Sequence, residues 1–461
     1  MDEALTHSLN QSITQAITNG ILSFENQLWG YICVPIVVML GIVLSWQSGF
    51  AQIRNLPQAI SAFISCFKSS PHQNEGVSPL KAFFAGIGGS IGVGNVVGVV
   101  TAIQIGGPGA LFWIWLTALA GAIVKYSEVY LGMRYREDNG KGGFQGGPMF
   151  YLKRAFKKPW MSKLICILLC LYGVEIFQFS VVTTSISKNL DINLYVVVAI
   201  FLSLVMFAAS GGVKRVGTIA SALMPIFVAL YAGMGFWVLI LNVQLLPEVL
   251  MSVFSSAFSG HAALGAFAGS TIMSTVSQGV RRGCYCGDIG IGYASVIHAE
   301  SSMTIPEKQA SLVIFEIFMD TFIICTTSVM IVLTTGVWQE PLEGVMIVQT
   351  ALGQYFPYMN YFMPLFLFLV GYATINAYFC VGLKCAEYLS PTKGRLMYQI
   401  YAVVVLVAFS FLSSIVAQSV MAIAGGLLLI VNSLGIYRLR KEISFDYIPQ
   451  EDVVMVREVI S

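Results

Sequence analysis

Long apolar runs recur along the chain, separated by short stretches rich in Gly, Pro or charge. A helix needs about 20 apolar residues to cross a bilayer. The pattern predicts eleven such helices, at 28–48, 82–104, 109–133, 160–186, 192–210, 216–242, 257–280, 309–337, 358–386, 396–412 and 415–437. No connecting stretch is long enough for a soluble domain. Residues 1–27 are polar and carry no Lys or Arg, so they lack the basic start of a cleavable signal peptide. They read as an extracytoplasmic segment ahead of an additional first helix at 28–48. Two sets of five helices follow, at 80–242 and 257–437, and 438–461 form a cytoplasmic tail.

Charge orients this arrangement. With the N-terminus outside, every Lys and Arg except Lys125 and Lys188 falls in an inner segment, including Arg281, Arg282 and Lys308. So lopsided a distribution predicts an N-out, C-in protein of the cell (inner) membrane. Lys153-Arg154 and Lys157-Lys158 suit anionic lipid of the inner leaflet.

Glycine is concentrated in two places, Gly86 to Asn95 in the second helix and Gly265 to Thr271 in the seventh. Each helical Gly costs about 1 kcal/mol relative to Ala, so several in one turn favour unwinding. Unwound backbone survives in a membrane only where it is buried in protein or lines a cavity. Close helix packing also explains either cluster alone, since Gly94 and Gly98 are spaced as a small-residue contact. Both clusters, however, lie in the first helix of a five-helix set. Five is odd, so the two sets are oppositely oriented. That is the signature of an inverted-repeat transporter with two broken helices at a midplane site. The amide end of a half-helix attracts a carboxylate, and the carbonyl end attracts an ammonium or a metal cation. A small amino acid carried with a cation is the natural cargo.

Composition removes the other classes. Of 461 residues, 56% are hydrophobic and 10% charged, against about a quarter charged in soluble domains. A net charge of +2 offers no field for nucleic acid. The nine Cys lie mostly in apolar runs, and the close pair Cys284-Tyr285-Cys286 lacks zinc or redox spacing. The expectation is therefore no bound metal or cofactor beyond the transported ion, no enzyme activity, and a monomer as sufficient unit. No His-Glu-x-x-His or Gly-x-Ser-x-Gly occurs, and His7, His72, His261 and His298 lie outside helices or at their ends. A channel also uses broken helices, but usually repeats its filter around a symmetry axis.

The run from Gly92 to Trp115 (Gly92-Val93-Gly94-Asn95 through Gly106-Gly107-Pro108-Gly109 to Phe112-Trp113-Ile114-Trp115) resembles the signature of the alanine or glycine:cation symporter family. So do Lys125-Tyr126-Ser127-Glu128, Gly146 to Tyr151, Gly211 to Arg215, Ala266 to Gly269, Glu316 to Thr321 and Cys385 to Leu389. That family belongs to the amino acid–polyamine–cation superfamily. The resemblance implies an all-α integral membrane protein with the leucine-transporter-type 5+5 inverted repeat, helices 2–6 against 7–11. It implies uptake of alanine, glycine or a similar small neutral amino acid with Na⁺ or H⁺.

The resemblance also names candidate residues. Gly89, Ser90, Gly92, Val93, Gly94 and Asn95 would contact the amino acid, mostly through backbone. Gln178, Phe267, Ala268, Gly269, Thr374 and Tyr378 would complete the pocket. For Gln178 an interhelical hydrogen bond, and for Tyr378 a buried ring with a bonded hydroxyl, are the alternative readings. Gly89, Thr374 and Asn376 would supply oxygens to a cation, as hard cations require. The chain departs from the family pattern at several points. Val93 and Ala373 each replace a Thr, Tyr378 replaces a Trp, Asn376 is an extra polar group, and Gly287-Asp288-Ile289-Gly290 replaces Asn-Glu-Ala-Gly. Glu175 places an acid where the family is usually neutral. Intramembrane acids often mark ion paths, so Glu175 is a candidate proton carrier or a structural partner of a neighbouring helix. Lys125 and Glu128, three apart on one face, are expected to pair, and Asp320 to hold helix contacts. All three are also candidates for gating.

Overall fold

A computed structural model describes residues 2–68, 76–140, 142–209, 211–259 and 272–446. Apart from a two-stranded antiparallel ribbon, Glu137–Asp138 against Phe144–Gln145, the described secondary structure is helical. Among the described residues, seven helices are long and apolar enough to span a membrane: Gln15–Gln47, Ala110–Arg134, Pro159–Leu190, Val213–Leu241, Pro306–Thr335, Met359–Leu389 and Ser414–Glu442. The pair Pro79–Ser90 and Gly94–Gly106, bent by 41°, makes an eighth if taken as one span. Most of these lie within a few residues of the positions expected from the apolar pattern.

The N-terminal region differs from expectation. Residues 1–27 were expected as a polar segment ahead of a helix at 28–48. Instead the helix Asp2–Gln27 runs through a π-helical turn at Leu28–Cys33 into Val34–Gln47. Gln27 and Cys33 keep right-handed helical torsions, so nothing terminates the helix between them. From Gln15 to Gln27 the polar side chains are exposed or half-buried, except Glu25, which is buried against the Arg281 guanidinium. The far end reaches the C-terminal tail, where Gln47 Nε2 donates to Arg440 O.

The first interruption falls where glycine predicts it. Ser78 caps Pro79–Ser90, its hydroxyl accepting from Lys81 N, and Pro79 supplies the fixed torsion suited to a first helical position. Ile91 then turns to extended torsions and helical geometry resumes by Gly94.

A second interruption among the described residues lies beyond the expected helix at 257–280, of which 260–271 are not described. Residues 257–259 end the helix Leu246–Ser259, and a separate helix, Ile272–Cys286, follows. The Gly265–Thr271 cluster, with the candidates Phe267, Ala268 and Gly269, lies outside the described residues. The break is at 287–292, before the short helix Tyr293–His298. Asp288, Gly290 and Gly292 take φ of 52°, 73° and 94°, torsions that stop a right-handed helix. Arg281 and Arg282 therefore do not belong to an inner loop. They are buried in the last turns of Ile272–Cys286, where Glu25 neutralises Arg281.

A third interruption is short. Pro159–Tyr172 and Ile176–Leu190 form one span, separated by Gly173, Val174 and Glu175, with Glu175 at φ 52°. Pro79–Ser90 packs on Gly212–Leu241 and Met359–Leu389, and Ala110–Arg134 packs on Ile272–Cys286 and Pro306–Ile317.

Candidate functional site

The two main interruptions face each other. Ser90, the last residue of its half-helix, donates through Oγ to Asp288 Oδ2 at 2.9 Å. Tyr293 OH, just after the second break, donates to Ala85 O at 2.8 Å. Gly89 lies so close to Tyr293 that an added Cβ would sit 2.1 Å from the phenolic oxygen. At Gly94 it would sit 2.8 Å from the Tyr285 ring. These glycines are therefore required by the contact between the breaks as well as by the unwinding.

Unwinding at Ile91 frees amides and carbonyls, and side chains take them up. Gly92 N donates to Asn95 Oδ1 at 2.9 Å, and Val93 N donates to Gln178 Oε1 at 3.1 Å. Thr374 Oγ1 lies 2.9 Å from Gly88 O and 3.3 Å from Ile91 O. The structure thus brings Ser90, Gly92, Val93, Asn95, Gln178 and Thr374 together at one break. The carbonyls of the break within reach of Thr374 are those of Gly88 and Ile91, not Gly89, and Thr374 Oγ1 also lies 3.1 Å from Val370 O in its own helix. Asn376, two residues on, is turned to another side of its helix and donates to Tyr372 O at 2.6 Å. Tyr378 is buried, stacked on Tyr293 at 4.1 Å and edge-on to Tyr172 at 5.4 Å.

Charge is concentrated around the breaks. Glu128, Glu175, Asp288, Glu316 and Asp320 are all buried, together with Lys125 and His298. The expected Lys125–Glu128 pair is not formed. Lys125 Nζ instead lies 3.3 Å from Glu316 Oε2 and donates to Ser90 Oγ at 3.0 Å. Glu128 accepts from Gly292 N at 3.2 Å and from Asn432 Nδ2 at 2.9 Å. The long Lys125 stem reaches the neighbouring helix, while the shorter Glu128 is held by the second break. Glu316 Oε1 also stands 2.9 Å from His298 Nε2. Gln309 Nε2 donates to His298 Nδ1 at 2.7 Å, which leaves Nε2 to carry the proton beside Glu316. Asp320 accepts from Asn95 Nδ2 and from Thr321 Oγ1. It thereby ties the first broken helix to the span Pro306–Thr335.

Glu175 starts the helix Ile176–Leu190. Its Oε2 accepts from Gln178 Nε2 and from Tyr285 OH, each at 3.0 Å. Its Oε1 is buried without a hydrogen-bond partner among the described residues, as are Glu128 Oε1, Asp288 Oδ1 and Asn376 Oδ1. Each such orphan matters, because buried polar atoms are otherwise nearly always paired.

On one side the arrangement is fastened from outside the spans. Arg136 Nη1 donates to Ala299 O at 3.2 Å and Ser301 O at 2.6 Å, and Nη2 to Met303 O at 2.9 Å. Burial pushes its guanidinium down to about 10, still charged at neutral pH. Lys384 pairs with Glu300 in the same loop.

Sequence reasoning passed over Tyr285, Tyr293, His298 and Glu316 as site residues, and treated Asp288 only as a departure in a loop. The available signal was an acid inside an apolar run at Glu316, and three glycines alternating with Asp288, Ile289 and Ile291.

The sequence model of the Sodium:alanine symporter family matches residues 14–449. An uncharacterised transporter of Haemophilus influenzae is 31% identical over 439 residues, covering 93% of this chain and 94% of its own. The sodium/alanine symporter AgcS of Methanococcus maripaludis is 30% identical over 409 residues, covering 86% and 87%. The crystal structure of MhsT in complex with L-phenylalanine aligns with a TM-score of 0.57 at 17% identity, over 79% of this chain and 89% of that one. At that identity the likeness is one of fold. With the family matched over nearly its whole length, the chain belongs to the sodium:alanine symporter family, and is a multi-pass membrane transporter rather than an enzyme.

Proposed function

We propose that the protein imports alanine, glycine or a similar small neutral amino acid together with Na⁺, by alternating access around the two facing helix breaks. The observation that carries this reading is the first break. Its free amides at Gly92 and Val93 meet Asn95 and Gln178, while its free carbonyls at Gly88 and Ile91 meet Thr374. Amides suit a carboxylate and carbonyls suit an ammonium or a hard cation. Family membership supports cation-coupled amino-acid symport, and AgcS bears the name of a sodium/alanine symporter.

The architecture we propose has eleven transmembrane helices. The second broken helix, Ile272–Cys286 with Tyr293–His298, and the shorter Leu194–Ala208 and Gly394–Phe409 join the eight spans already described. One repeat runs from Pro79 to Leu241 and its inverted counterpart from Ile272 to Leu439, preceded by the additional helix. The breaks then fall in the first helix of each repeat. With Arg281 and Arg282 removed from the inner set, the remaining Lys and Arg still support an N-out, C-in orientation.

Proton coupling is a second reading, favoured by the orphan Oε1 of buried Glu175. Labelled L-alanine uptake into proteoliposomes, under an inward Na⁺ gradient or an inward H⁺ gradient, separates the two. Uptake driven by H⁺ alone overturns the sodium reading, and passage without saturation or gradient coupling points to a channel.

A further inference from the structure

We propose that Glu175 is a specificity-determining residue that receives the substrate's α-ammonium, with Val93 N–H receiving its carboxylate. The inference rests on the amino-acid reading above and adds a charged side chain to a site otherwise built from backbone groups and neutral side chains.

Gln178 shows the geometry required. One carboxamide bridges the two groups, its oxygen accepting from Val93 N at 3.1 Å and its nitrogen donating to Glu175 Oε2 at 3.0 Å. An acceptor and a donor on one small rigid group thus fit between the broken helix and Glu175. The head of an α-amino acid carries the same pair, a carboxylate and an ammonium one carbon apart, each charged. It takes over both partners from Gln178 with stronger, charge-assisted bonds.

Three features make Glu175 a receptor for positive charge. Its Oε1 is buried and unpartnered, while Oε2 meets only the neutral donors Gln178 and Tyr285. A buried carboxylate in such surroundings calls for a cation. Second, Glu175 stands at the N-terminus of the helix Ile176–Leu190, where the helix dipole favours negative charge. Third, its backbone is held at φ 52°, ψ 48°. That conformation is uncommon for a side-chain-bearing residue and clusters at ligand sites. A carboxylate arriving at Val93 without an ammonium would meet the Glu175 charge uncompensated. The site thereby discriminates against simple acids.

The test compares wild type, E175Q and E175D in proteoliposomes. The probe is whichever of labelled L-alanine, glycine, L-serine and L-glutamine the wild type takes up, with propionate, which lacks an ammonium, as competitor. E175Q is expected to weaken the amino acid about 10–150-fold, the range for a hydrogen bond to a charged group. Propionate competition is expected to stay unchanged or strengthen, and E175D to retain part of the preference. A merely structural Glu175 weakens both ligands in equal proportion, which overturns the proposal, as does an unchanged affinity for the amino acid. If E175Q does not fold, E175D decides, since it must still lose amino-acid affinity selectively. Failure of the wild type to take up any of the four sinks the amino-acid reading itself, a result distinct from failure at Glu175.

Discussion

Replacing Lys125 by Met tests the buried charge network most sharply. Nζ stands 3.3 Å from Glu316 Oε2, with both side chains fully buried, and donates to Ser90 Oγ at 3.0 Å. Met keeps most of the apolar stem and removes the charge. Glu316 then keeps His298 Nε2 at 2.9 Å as its remaining neighbour. Removing one member of a buried pair typically costs about 3–5 kcal/mol, because the other charge is stranded. The loss of the Ser90 contact is part of that figure and is not added to it. K125M is therefore expected to be destabilised by about 3–5 kcal/mol in unfolding from mixed micelles, followed by tryptophan fluorescence. The double variant K125M/E316Q should recover much of the loss, with a coupling energy of about 2 kcal/mol or more. K125M/E128Q should be close to additive, since Glu128 is held by Gly292 and Asn432. K125M within 1 kcal/mol of wild type, or stronger coupling to Glu128 than to Glu316, would refute the reasoning.

Three further outcomes are expected. Thr374→Val removes the hydroxyl between Gly88 O and Ile91 O, and should raise the Na⁺ concentration needed for half-maximal uptake about tenfold, the equivalent of about 1.4 kcal/mol. Thr374→Ser should stay near wild type, and equal loss in both variants would count against the hydroxyl as a ligand. Gly89→Ala drives a methyl into Tyr293, which is pinned by Tyr378 and Ala85 O, so a loss of about 1–3 kcal/mol in the same unfolding assay is expected. Arg136→Ala removes three carbonyl contacts and should speed hydrogen exchange across residues 299–305, while exchange in Ala110–Arg134 stays unchanged. Uniform acceleration would indicate global destabilisation instead.

What the sequence reveals and what it conceals follow from where the information sits. Apolar run length is local, so most spans are readable to within a few residues. The first break is readable too, because Gly86, Gly88, Gly89, Gly92 and Gly94 crowd a single stretch. The break at 287–292 is not. Its three glycines lie behind Arg281 and Arg282, and two adjacent arginines look like the end of a helix at the membrane surface. What permits Arg281 inside is Glu25, 256 positions away, on a stretch whose polarity argues against a buried helix. Each of these two buried groups hides the partner that would reveal the other. The Lys125–Glu128 expectation fails for a related reason. Helical spacing brings the two side chains to one face but does not show that Glu316 offers Lys125 a partner across the interface. Thr374 and Gln178 are reached only through family resemblance, since an isolated Thr or Gln in an apolar helix carries no signal of its own.

The central claim is that the facing breaks form the site of sodium-driven amino-acid uptake. The most direct measurement is saturable uptake of labelled L-alanine into proteoliposomes under an inward Na⁺ gradient, with wild type beside T374V. The account predicts concentrative uptake that collapses when the Na⁺ gradient is dissipated, and a raised Na⁺ requirement in T374V. Uptake indifferent to Na⁺, or a T374V profile superimposable on wild type, would contradict it.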